Sequence, residues 1–423
     1  MDTRMLRANP NGLHGKKHVR LVHRKTVRSK HVCAVAAPPK QTGTDNTDEF
    51  RGVLHSGLRG SPLVHGKEFP PQAEVMKSIP KHCYEKNTWK SMGYAAISVG
   101  LTLGCMAAGY ALIPLELPFL PIWLMYAAVT GTVATGCWVI AHECGHGAFS
   151  DNSMLQDTVG YILHSALLVP YFSWQRTHAI HHARTNHMSE GETHVPDVEG
   201  SAGGQLSRTF KRVLGEPAFA VTRMVSYLVF GWPVYLMTGA SGGPKYGVSN
   251  HFWPFKPFSD KLFPGKWKQK VLWSDVGVLA MLGLLGFWAK SAGIWTVLAV
   301  YGGPYIVVNV WLVLYTWLQH TDVDIPHFDE DNWSFIKGAF HTVDRPYGPV
   351  FDFLHHRIGS THVAHHVNST IPHYHALEAT NVLKEKYPEH YLYDPTPIHK
   401  ALWRVAGNCL AVEKRGDMYV FKP

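Results

Sequence analysis

Residues 121–146 read PIWLMYAAVTGTVATGCWVIAHECGH. Positions 121–141 carry no charge, and about 20 apolar residues in a helix are what a bilayer core demands. The run then ends directly in His142-Glu143-Cys144-Gly145-His146. On a helix, residues i and i+4 share a face, so His142 and His146 point the same way from the end of a membrane span. A span that delivers paired imidazoles to its own mouth frames the reading of everything else.

Working outward, residues 93–113 form a second uncharged run, and only 114–120 lie between the two, so they read as a helical hairpin. A second pair follows at 271–289, with Asp275 near its start, and 293–318, joined across 290–293. Two further apolar stretches, 159–172 and 218–240, are interrupted by His164 and Pro170 and by Arg223 and Pro233. Their lengths and interruptions suit helices lying at the interface or packed inside the protein. The expected fold is an all-α multi-pass membrane protein with four transmembrane helices in two hairpins and a cytosolic helical cap. Four segments are expected: a basic tail or targeting segment at 1–45, an N-terminal cytosolic region at 46–92, the membrane domain at 93–415, and a C-terminal tail at 416–423.

Composition agrees with a membrane protein. Charged residues make up 17% of the chain, below the roughly 25% of soluble proteins. Residues 1–40 hold ten Lys or Arg against one acid, Asp2, which accounts for the whole formal charge of +9. This basic stretch reads as a solvated tail that prefers an anionic surface, or as an organelle transit peptide; no secretory signal and no nucleic-acid-binding motif accompanies it. By the positive-inside rule it places the N-terminus in the cytosol (or stroma) and both hairpin turns on the opposite side. The six cysteines show no CxxC and no paired spacing, so neither a disulfide framework nor a cysteine zinc site is indicated.

The outlier is histidine, at 28 residues. Beyond His142 and His146, clusters occur at His178-Ala179-Ile180-His181-His182 and His362-Val363-Ala364-His365-His366. At this abundance a given HxxHH triplet should arise by chance about 0.1 times, yet the chain holds two. Neutral imidazole suits zinc, copper, iron and nickel alike. The first cluster also fits HExxH, a zinc metalloprotease pattern with Glu143 as base. Such a site needs only three protein ligands, which leaves both HxxHH clusters without a purpose; eight clustered histidines suit two metals. A metal transporter is a more distant alternative, because it needs polar ligands within its spans. If all three clusters share a site, they must lie on one side of the membrane, so 159–172 and 218–240 must not cross it singly.

These residues carry a resemblance to the membrane fatty acid desaturases, specifically the delta-12 (omega-6) branch of plants and algae, over about residues 50–415. The stretches that carry it are HECGHGAFSD (142–151), HAIHHARTNH (178–187) with GETHVP (191–196), WLQHT (317–321), TVDRPYG (342–348) and HVAHHVNSTIPHYHALEAT (362–380). The resemblance implies two irons bound by His142, His146, His178, His181, His182, His362, His365 and His366, with His320 as a further ligand. It implies O2 as co-substrate and an acyl-lipid substrate, with a cis double bond introduced at delta-12 of an oleoyl chain. Plausible carboxylates behind the ligands are Glu143, Asp151, Glu192 and Asp344. Gly147 stands where higher-plant delta-12 enzymes carry histidine and where omega-3 relatives carry glycine. An omega-3 desaturase, a hydroxylase or a conjugase on the same scaffold is therefore the alternative. The chain has no HPGG haem-binding motif and no dinucleotide fingerprint, so electrons must come from a separate carrier. That carrier is expected to be cytochrome b5 in the endoplasmic reticulum membrane, or ferredoxin in a chloroplast membrane.

Overall fold

The computed structural model describes residues 69–422. The basic tail or targeting segment, 1–45, and the start of the region that follows it lie outside the described residues. The chain begins with α1 (Gln72–Ser78), a tight turn at Lys81–Tyr84, and α2 (Thr88–Leu112), whose first turn is capped by the Asn87 side chain. Next come α3 (Leu120–His146), α4 (Ser153–Ala166), α5 (Tyr171–Ala183), β1 (Asp197–Val198), α6 (Ala202–Leu214) and α7 (Glu216–Thr238). The second apolar pair follows as α8 (Lys266–Ala292), α9 (Ile294–Val297) and α10 (Gly303–His320). Between α9 and α10, residues Leu298–Gly302 make a single π-turn. It sits just before Gly303 and Pro304, where proline denies the helix an amide donor and the backbone must rearrange.

The remaining elements are α11 (Phe335–Phe340), α12 (Pro349–Leu354), α13 (His362–Val367), α14 (His373–Lys386), α15 (Ile398–Asn408), β2 (Ala411–Arg415) and β3 (Met418–Phe421). Among the described residues β1 pairs parallel with β2, and β2 antiparallel with β3. The fold is therefore mostly helical rather than wholly so, and 418–421, within the expected C-terminal tail, is a strand. Its pairing with β2 buries Met418, Val420 and Phe421 and leaves Tyr419 partly exposed, over a segment too short to stand out in the sequence.

Among the described residues, five helical segments are long and apolar enough to cross a bilayer: Thr88–Leu112, Leu117–His146, Glu216–Thr238, Lys266–Ala292 and Ile294–His320. The fourteen-residue α4 rises only about 21 Å, short of a hydrocarbon core of about 30 Å. Two of the five, α2 and α8, turn large apolar side chains outward, among them Leu103, Leu279, Leu284 and Phe287. This suits a lipid surround, where outward burial by protein is not needed.

At the centre stands α3, packed by α2, α4 and α10. Gly131 makes the closest approach possible: a Cβ there would lie 2.5 Å from Val307 Cβ and 2.6 Å from the Pro304 carbonyl. Around its lower half Trp138, Ile140, Cys144, Trp174 and Leu312 form one core, beneath the histidine-bearing end. A second core joins α1, α11, α13 and α14 through Val75, Cys83, Phe340, Val363 and Leu383.

Candidate metal centre

Four helices bring nine imidazoles together. Gly147, at φ +74°, stops α3 one residue after His146, which frees the helix end and accounts for glycine at that position. His142, His146, His178, His182 and His365 form one group, with one nitrogen of each lying within 4.8 Å of the others. His181, His320 and His366 form a second group on the same criterion. His362 joins it, with Nε2 2.9 Å from His320 Nε2. All nine histidines named from the sequence thus converge, five in one group and four in the other.

The HxxHH spacing now has a geometric reason. On α5 the i,i+4 pair His178 and His182 serves the first group, and His181, one residue short of the last, turns to the second. On α13 the assignment is reversed: His362 and His366 serve the second group and His365 the first. Each helix thereby contributes to both groups, and the seam is the stacked pair His182–His366, with ring centroids 4.0 Å apart.

The donor set suits metal ions better than hydrogen bonds. Nε2 atoms face each other at 3.2 Å for His142–His146, 3.2 Å for His178–His182 and 3.1 Å for His181–His320. Two nitrogens each about 2.1 Å from one ion are about 3.0 Å apart at a right angle and about 3.4 Å apart at the tetrahedral angle. His320 Nε2 lies between His181 and His362, and one neutral ring nitrogen cannot serve both neighbours as donor and as acceptor. Among the described residues, His365 Nε2 and His366 Nε2 are buried without a hydrogen-bond partner. Burial and mutual repulsion also hold His178, His181, His182, His362 and His366 far below the ordinary imidazole pKa, and burial takes His365 down to about 4. Neutral rings with inward lone pairs are the state a cation requires.

The four carboxylates expected behind the ligands divide. Glu143 is buried, accepts the His373 backbone N–H at 2.9 Å and lies 4.0 Å from His142 Nδ1. It therefore stands behind the ring, away from the Nε2 face, which is the wrong place for a hydrolase base. Asp344 accepts the Val363 N–H at 3.0 Å and the Tyr391 hydroxyl. It acts as the missing N-cap of α13, whose own Thr361 provides none. Burial raises the Asp344 carboxyl to about 6, against the pull of those two donors. Glu192 accepts the Tyr235 hydroxyl at 2.8 Å, and burial raises it to about 7. Asp151 is a correction: its side chain is 81% exposed and paired with Lys86, because the chain has already turned outward past the end of α3.

Several neighbours were not singled out from the sequence. His194 stacks on His320 with centroids 5.3 Å apart and sits at φ +59°; its presence in the GETHVP stretch was the available signal. The Tyr235 hydroxyl also donates to Thr177 Oγ1 at 3.0 Å, which lies 3.2 Å from His251 Nε2. Arg345 is wholly buried between Asp322 and Asp394, and Arg404 closes the set. Asp322 follows His320 by two residues, so this network fixes the end of α10.

A cavity of about 640 Å³ opens against the first group, within the range of ligand clefts. His178, Glu192 and His194 line its polar end, and Trp232, Phe230, Leu312 and Val313 line its apolar length. The arrangement sets a partly apolar cavity beside a cluster of buried imidazole nitrogens.

Comparison with known proteins agrees with this geometry. The sequence model of the family described as fatty acid desaturase matches residues 119–396. The chain is 40% identical to the delta(12)-fatty-acid desaturase of Vernicia fordii over 383 residues, covering 90% of this chain and 94% of that protein. It is 41% identical to the omega-6 fatty acid desaturase, endoplasmic reticulum isozyme 2, of Glycine max, covering 81% and 87%. It is 40% identical to the delta(12) fatty acid desaturase of Mortierella alpina, covering 82% and 90%. With nine converging histidines beside an apolar cavity and these similarities over most of its length, the chain belongs to the fatty acid desaturase family.

Proposed function

We propose that this protein is a membrane-bound, O2-dependent fatty acid desaturase that introduces a cis double bond at delta-12 of oleoyl chains on glycerolipids. The observation that carries the reading is the joining of the two histidine groups to the apolar cavity through His178. The delta-12 position rests on the names of the relatives, which describe delta-12 and omega-6 enzymes.

The nine histidines are proposed to hold two irons: His142, His146, His178, His182 and His365 one, and His181, His320, His362 and His366 the other. Iron bound there supplies the redox chemistry with O2 that acid–base side chains cannot bring to an unactivated CH2–CH2 pair. The chain's own part is positional. The cavity walls desolvate the acyl chain and hold it extended, Asp344 and Glu143 fix α13 and the α3 end, and the Arg345 network fixes His320. Electrons are proposed to come from cytochrome b5, consistent with an endoplasmic reticulum membrane.

Four crossings in two hairpins remain the proposed topology, with α7 lying along the cap. His181 precedes α7, and His320 ends α10, yet their nitrogens are 3.1 Å apart. An even number of crossings must separate them, and α8 with α10 already supplies two. Both ends of α7 support this: Arg223 bonds to carbonyls at the end of α15, and Tyr235 bonds to Glu192 and Thr177.

Expression in a yeast that makes oleate but no diene tests the reaction. Linoleate should appear by gas chromatography, and His181→Ala or His365→Ala should abolish it while the protein stays in the membrane. A hydroxy acid, an omega-3 product or no product would overturn the delta-12 assignment.

A further inference from the structure

On the far side of α14 from the histidine groups, His82, Cys83 and Glu378 bring nitrogen, sulfur and oxygen donors within 4.8 Å of one another. His82 and Cys83 belong to the tight turn before α2, and Glu378 belongs to α14, so two separate elements meet there. His82 Nε2 is 2.9 Å from Glu378 Oε1 and 3.8 Å from Cys83 Sγ. The sulfur is buried, whereas His82 and Glu378 are about half exposed, at 51% and 48%. The triangle is thus anchored from below and open to ions from above.

We propose that this triangle is a third metal site, for a borderline-soft divalent cation of the zinc class, separate from the two histidine groups. The distances fit: with metal–nitrogen and metal–oxygen bonds of about 2.0–2.1 Å and a metal–sulfur bond of about 2.3 Å, they correspond to angles of about 90° and about 120°, on either side of tetrahedral. A mixed nitrogen, thiolate and carboxylate set selects zinc over magnesium or calcium, which take oxygen. The Cys83 sulfur, at the edge of the second core, lies 3.8 Å from His82 Nε2, a closeness that a His82–Glu378 ion pair does not require. Thiolate and carboxylate together neutralise a dication, so the bound site carries no net charge. His375 stands one turn before Glu378 on the same face of α14, its ring edge-on to His82 with centroids 5.8 Å apart; it is the neighbouring donor for the fourth position, in competition with water.

Binding forms a sulfur–metal bond and breaks the Cys83 S–H bond, whose proton passes to the buffer. The effect on the fold is a clasp. The turn that enters α2 already meets α14 where the Asn87 N–H donates to the Tyr374 hydroxyl at 2.8 Å. A cation would fasten the same junction a second time.

The full-length protein, purified in detergent and washed with chelator, should be titrated with Cd²⁺ as a spectroscopic stand-in for zinc. The expected result is an ultraviolet thiolate-to-metal charge-transfer band whose amplitude at saturation corresponds to one cadmium thiolate per chain, which is displaced by Zn²⁺ and is absent in Cys83→Ser. The nitrogen-only histidine groups give no such band. His82→Gln and Glu378→Gln, at half-exposed side chains that fold tolerates, should each weaken Cd²⁺ binding at least tenfold. No thiolate band, a band that persists in Cys83→Ser, or unchanged affinity in both glutamine variants would overturn the proposal.

Discussion

Arg345 offers a quantitative test of how the end of α10 is held. Its side chain is fully buried; Nη2 donates to Asp322 Oδ2 at 2.7 Å, Nη1 to Asp394, and Nε to the Leu318 carbonyl at 2.9 Å. Arg404 Nη2 donates to both carboxylates at 2.7 Å, so two cations and two anions sum to zero in a dry site. Arg345→Met keeps most of the volume but leaves one negative charge uncompensated. Removing one partner from a buried pair costs about 3–5 kcal/mol, chiefly the penalty of the stranded charge. At roughly 2 °C per kcal/mol for a large domain, the apparent Tm in detergent should fall by about 6–10 °C. The double variant Arg345→Met/Asp394→Asn restores neutrality and should recover part of that loss, because neighbours in one network do not add. The assay is tryptophan-fluorescence melting of four proteins at one scan rate: the parent, Arg345→Met, Asp394→Asn and the double variant. A Tm change under about 2 °C in Arg345→Met, or a double variant as unstable as the sum of its singles, would refute the reasoning.

Two further outcomes follow from the same structure. Gly231 lines the cavity, and a Cβ there would lie 3.5 Å from both Val313 methyls, in ordinary contact. Gly231→Leu should therefore fold but fill the apolar length of the cavity, cutting eighteen-carbon product at least tenfold in the yeast assay; an unchanged product profile would remove this wall from the substrate path. For the metal-free protein, burial holds His194 and His251 at about 4, below the free imidazole value of about 6.5. The unfolded chain then takes up protons first, so stability is fully present above pH 6.5 and is lost as pH falls from there toward 4. Each such histidine costs about 1.4 kcal/mol per pH unit in that window. Glu192 and Asp344, raised to about 7 and about 6, act in the opposite sense. The metal-free histidines of the two groups are held low as well and outnumber them, so the apparent Tm of chelator-treated protein should drop from pH 6.5 to 5.5. A flat profile would show that these rings are solvated.

What the sequence made legible was what depends on local pattern. The uncharged runs marked α2, α3, α8 and α10, and the i,i+3,i+4 spacing marked eight of the nine histidines that converge, His320 coming from the family resemblance alone. What stayed hidden depends on contacts between distant segments. Nothing local distinguishes Asp344 as the cap of a helix that begins at His362, or Asp322 as the partner of Arg345. The crossing of His181 and His365 into opposite groups is a property of how α5 and α13 lie together, which spacing within either helix does not reveal. Asp151, although five residues from His146, is exposed and paired with Lys86, because α3 ends at Gly147 between them. β2 and β3 were missed because they are only five and four residues long and follow an amphipathic helix.

The most direct test of two adjoining metal positions is the iron content of the purified, iron-loaded protein together with its X-ray absorption spectrum. Five histidines in one group and four in the other predict two irons per chain, each in a shell dominated by imidazole nitrogen. One iron per chain, or a shell dominated by carboxylate oxygen, would contradict it.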